Sequence, residues 1–119
     1  MPSSNDKSAR PGLLSLEQLE LTLQAQHCFA GAGDFYLCDV FVSGTSVVGL
    51  ISGYREPPSS KFLQIGYTTK TPWITAGWRK DGFWLLSTPM FRYVVVDWRD
   101  GVPMNAWKTL PGESRVRNK

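Results

Sequence analysis

The sequence predicts an α+β domain: one N-terminal helix packed on a strongly curved, mostly antiparallel sheet of about six strands, a partial barrel or roll. Three observations carry this prediction. A capped leucine-rich segment stands near the start of the chain. Six short runs rich in β-branched or aromatic residues follow it, with turn chemistry between them. No later segment has the length and period of a helix that could carry a parallel crossover.

The helix begins at Ser15. Ser15-Leu16-Glu17-Gln18 has the form of a capping box, in which the serine oxygen accepts from the N3 amide and Gln18 reaches back to the cap N–H. Leu14 is placed to staple onto Leu19. Leu16, Leu19 and Leu23 recur at helical spacing, with Leu13 and Leu21 widening the stripe, which marks the face for packing on the sheet. The break at Gly31-Ala32-Gly33 should stop the helix near His27.

Strands are expected at 35–42, 45–54, 61–68, 73–80, 83–88 and 91–99. A weaker seventh candidate, 102–107, is limited to a sheet edge by Pro103. Gly49, Gly53, Gly66 and Gly77 fall inside these runs, where glycine marks bulges or bends, and they are the reason to expect strong curvature. The chain divides into a flexible leader (1–12), one α+β domain (13–110) and a polar basic tail (111–119). Its 119 residues suit a single domain.

All five tryptophans lie between Trp73 and Trp107, and two of them open similar turns, Trp78-Arg79-Lys80-Asp81-Gly82 and Trp98-Arg99-Asp100-Gly101. Asp-Gly favours a type I′ hairpin, because both central residues of that turn need positive φ. A two-residue turn at Asp81-Gly82 sets Lys80 opposite Phe83, Arg79 opposite Trp84 and Trp78 opposite Leu85. One face then holds Ile74, Ala76, Trp78, Phe83 and Leu85, suited to the core. The other holds Trp73, Thr75, Gly77, Arg79, Trp84 and Leu86, aromatic but partly polar, and is the face expected to bind. The second turn sets Val94 opposite Trp107, and it places Asp97 and Arg99 as a surface ion pair worth at most about 1 kcal/mol.

The formal charge of +3 resides in the ends. Residues 1–12 carry +1 and residues 111–119 carry +2, while 13–110 balance to zero, so a folded basic groove is not indicated. No apolar run reaches the roughly 18 residues of a membrane-spanning helix. The leader lacks the apolar stretch of a secretion signal, and the default expectation is a cytoplasmic protein.

Chemical motifs are sparse. His27 is the single histidine, and its adjacency to Cys28 does not make a dyad, since neighbouring helical side chains diverge. Cys28 and Cys38 are expected as free thiols that pack like small apolar residues; with Asp39 and His27 they match no zinc spacing, so neither a metal nor a cofactor is expected. Asp39 and Asp97 stand in apolar strands and should face water or pair with Arg92, Arg79 or Arg99. The Tyr54–Ser60 loop, stiffened by Pro57-Pro58, is a candidate rim or oligomer contact. Gly31-Ala32-Gly33 follows a helix rather than leading into one, the wrong polarity for a phosphate loop.

These residues point to a small non-catalytic binding or interaction domain. Its aromatic sheet face would hold an apolar or aromatic ligand or a second copy of the chain, through Trp73, Arg79, Trp84, Arg92 and Trp107. Homo-oligomerisation is the expected partnership, with a small apolar ligand second and no membrane. One alternative is a small enzyme using Asp39 or Asp97 with Arg92 in a concave pocket. The other is single-stranded nucleic-acid binding by the aromatic face together with Arg115, Arg117 and Lys119.

Overall fold

Serine at position 15 has extended φ and ψ, and its hydroxyl accepts from the Gln18 N–H at 3.0 Å while Gln18 Oε1 accepts from the Ser15 N–H at 2.9 Å. Both arms of the expected capping box are therefore formed. They start α1 (Leu16–Cys28) in a computed structural model that describes residues 13–101. The leader, the 102–107 strand candidate and the polar tail lie outside the described residues.

Six strands follow: β1 (Phe35–Ser43), β2 (Ser46–Tyr54), β3 (Thr68–Lys70), β4 (Ala76–Lys80), β5 (Phe83–Ser87) and β6 (Arg92–Val95). They form one sheet in the order β3-β2-β1-β6-β5-β4. Two antiparallel meanders, β1-β2-β3 and β4-β5-β6, join through a central parallel pair that sets Phe35, Leu37 and Tyr36 against Tyr93, Val95 and Val94. The molecule is thus α+β with one helix and a mixed six-stranded sheet. The sheet is neither closed nor strongly curled, so the expected curvature is not confirmed; β3 and β4 are its edges.

The hairpin arithmetic is correct: Lys80 pairs with Phe83, Arg79 with Trp84 and Trp78 with Leu85. Asp81 and Gly82 have φ of 53° and 87°, the positive values a type I′ turn requires. The expected strand at 61–68 is not formed. Ser60 Oγ instead caps a short 3-10 turn, Lys61–Leu63, and β3 begins only at Thr68. Gly66, at φ 94°, turns the chain there and donates to the Ile51 carbonyl at 2.7 Å.

Between the two edge strands, residues 71–75 run as a strap rather than as the start of β4. Thr71 and Ile74 donate to the carbonyls of Val47 and Thr45, and Thr75 donates to that of Ser87. Strand alternation does not apply to a strap. This is why Ile74, expected on the Trp78 face, packs instead in the cluster of Trp84.

Each face of the sheet carries a core cluster. On one side Phe35, Leu37, Val47, Ile51, Trp84, Leu86, Tyr93 and Val95 pack together with Val40 and Ile74. On the other, Tyr36, Cys38, Phe83, Val94 and Val96 meet Ala25 of α1 and Phe29, which caps its C-terminal end. A smaller helix contact lies beside it. Thr22 is buried and donates to Ser52 Oγ at 2.7 Å, and Ser52 donates to the Tyr36 carbonyl at 3.3 Å. A Cβ at Gly53 would stand 2.9 Å from Gln26 Nε2 and 3.1 Å from Thr22 Cγ2, so the missing side chain lets the helix approach.

Candidate functional site

Of the five residues expected to form a binding face, four lie among the described residues, and they differ in exposure. Trp84 is 5% exposed and belongs to the core; on β5 it pairs in register with Arg79 of β4 and Val95 of β6. Trp78, expected in the core, is only half-buried. Trp73 sits on the strap and is 59% exposed; Arg79 is exposed on the β4 edge. Arg92 is exposed at the start of β6, where its backbone N–H donates to Asp34 Oδ2 at 2.9 Å. Trp107 lies outside the described residues. Of the face foreseen in the hairpin, Gly77, Trp84 and Leu86 are buried while Trp73, Thr75 and Arg79 are exposed.

The two strand aspartates meet at a bulge. Cys38 pairs with Leu50 and Phe41 with Val48, so Asp39 and Val40 together oppose Gly49. Asp39 takes φ 55°, a left-handed conformation that aspartate tolerates better than most side chains. Its N–H donates to Asp97 Oδ1 at 2.6 Å, and its carboxylate accepts from Arg99 Nε and Nη2 at 3.3 and 3.1 Å. Arg99 also stands 4.3 Å over the Phe41 ring. Arg99 thus pairs with Asp39 rather than with Asp97, the partner two residues away. Asp97 accepts instead from the Asp39 backbone and, at 3.4 Å, from Gln18 Nε2 of α1. The Arg92 backbone N–H bonds to Asp34 at the start of β6, whereas Asp39 and Asp97 meet at the bulge.

Two open grooves adjoin these groups. One, of about 260 Å³, is lined by Asp34, Arg55, the Pro57-Pro58 loop and Phe91; its acid and base already pair at 2.9 Å. The other, of about 400 Å³, runs along Val40, Phe41, Trp98 and Arg99. The thiols of Cys28 and Cys38 are free, and burial pushes both upward from their ordinary range, with the Asp81 carboxylate adding to the shift at Cys28. Both are held as thiols at neutral pH, which is opposite to the activation of a nucleophile. Among the described residues no three His, Cys, Asp or Glu side chains come together as metal ligands.

The largest departure is on α1. Leu16 and Leu23 are 73% and 61% exposed, with Leu19 and the preceding Leu13 also in water. The helix turns Thr22, Ala25 and partly Gln18, Leu21 and Gln26 to the sheet, and Leu16, Leu19 and Leu23 outward. Glu17 and Glu20 flank the leucines on the exposed surface. The 3- and 4-residue spacing of this stripe is visible in sequence. Its orientation is not. The one available signal is the run of small and polar residues on the reverse face, which suits a close contact at Gly53 better than the leucines do.

No helix among the described residues is long and apolar enough to cross a membrane. No protein-family model, no curated protein and no solved structure matches this chain.

Proposed function

We propose that this chain is a small non-catalytic interaction domain whose docking surface is the leucine face of α1. The single observation that carries the reading is the outward stripe of Leu16, Leu19 and Leu23 on a helix whose other side is already seated. Burying a leucine is worth roughly 1.5–3 kcal/mol relative to leaving it in water, so covering three offers a partner several kcal/mol. Exposed apolar area rimmed by charge is the usual mark of an interaction site.

A partner for this face should be apolar and basic. Glu17 and Glu20 border the leucines, and α1 contains neither lysine nor arginine. A second copy of the chain remains the first self-partner to examine, but α1 packed on α1 would bring four glutamates to one seam. The test uses a designed amphipathic Leu/Lys peptide, titrated against the protein by fluorescence anisotropy, with sedimentation velocity reporting self-association. Leu19→Ser/Leu23→Ser, which keeps every charge, should weaken peptide binding at least tenfold. Equal binding by the variant and the unmodified chain would sink the proposal.

A further inference from the structure

We infer that the chain carries its own occupant for the leucine face of α1: residues 102–119 of the same molecule dock there and hold the site closed to other partners. This rests on the docking reading of that face. The chemistry is complementary. Residues 102–119 contain Val102, Met104, Trp107 and Leu110 together with Lys108, Arg115, Arg117 and Lys119 against one acid, Glu113, for a net +3. The helix offers three exposed leucines flanked by Glu17 and Glu20.

The geometry places the two within reach. Asp97 accepts from Gln18, so the chain leaving β6 passes the N-terminal half of α1, and Gly101 follows four residues later. Eighteen residues extend to at most roughly 60 Å, against a helix of 13 residues and about 20 Å. A tether of this length gives an effective concentration in the millimolar range, which exceeds that of a free second copy under ordinary conditions. The size of the face agrees. One 20 Å helix presents a footprint of roughly 200 Å², far below the roughly 800 Å² per partner of a standard protein–protein interface. It fits a peptide segment.

Two measurements on the full chain test this. Zero-length carbodiimide cross-linking, followed by peptide mapping of the monomer fraction, should join Lys108 or Lys119 to Glu17 or Glu20, and Leu16→Ser/Leu23→Ser should abolish that link. In the anisotropy assay, Trp107→Ser/Leu110→Ser should bind the Leu/Lys peptide about tenfold more tightly, because the competing segment is weakened. Leucine-dependent peptide binding with no such link and unchanged affinity in the Trp107/Leu110 variant would overturn the inference and leave the docking reading standing. Links found only in a dimer fraction would overturn it as well. Failure of the peptide to use the leucines at all would remove the docking reading, and this inference with it.

Discussion

At Asp39 one side chain meets two demands. The bulge needs a residue that accepts φ 55°, and Arg99 needs a carboxylate. Asparagine satisfies the first, while a β-branched side chain satisfies neither. Asp39→Val should therefore cost about 1–2 kcal/mol in backbone strain, and Asp39→Asn less than about 1 kcal/mol, since the exposed ion pair contributes little. Asp97→Ala removes the acceptor of the Asp39 N–H and should cost about 1–3 kcal/mol, read from the shift in urea midpoint. The same measurement separates the two hairpin-region tryptophans expected on one face. Trp84→Ala should destabilise by about 3–5 kcal/mol as a core truncation. Trp73→Ala, on an exposed strap position, should fall within about 0.5 kcal/mol.

For the helix, end and face are governed by different physics. Its start is local: Ser15 and Gln18 satisfy each other's backbone donors three residues apart, so Ser15→Ala should cost about 1 kcal/mol and reduce helical circular dichroism through fraying. Its seating depends on residues far along the chain. Gly53 leaves space for Gln26 and Thr22, and Ser52 accepts from Thr22. Gly53→Ala should push α1 from the sheet and raise hydrogen exchange in the helix above that in β1. Equal protection in both elements would show that the helix has room to spare. The 61–68 segment shows the same division. Its β-branched and aromatic content suits a strand, but the Ser60 cap and Gly66 turn it into a 3-10 turn and leave three residues for pairing.

Across the whole molecule, the buried tyrosines couple stability to alkaline pH. Burial chiefly, and the Asp34 carboxylate secondarily, push Tyr93 from an ordinary value of 10 up to about 12; burial also raises Tyr36. A phenol whose folded value is raised contributes stability in full below its unfolded value and loses it as pH climbs through the folded one. Unfolding midpoints should hold up to about pH 10 and then fall toward pH 12. Tyr93→Phe should flatten that decline. Persistence of the full slope in Tyr93→Phe would assign the effect to other groups.

Local chemistry determined a good deal of this protein from sequence alone. The capping box, the Asp81-Gly82 turn and the three pairs it sets, and the helix-then-strands order all depend on residues close in the chain or on composition. Tertiary structure decided which faces meet. The hairpin register placed Trp84 correctly opposite Arg79, yet periodicity only divides a strand into two faces, and here both faces are covered, one by the helix and one by loops and the strap. The leucine stripe was equally legible and its direction was not, because a helix seats itself on whichever face fits the surface beneath it. At Gly53 and Ser52 that surface accepts Thr22 and Gln26. Leu16, Leu19 and Leu23 are left exposed.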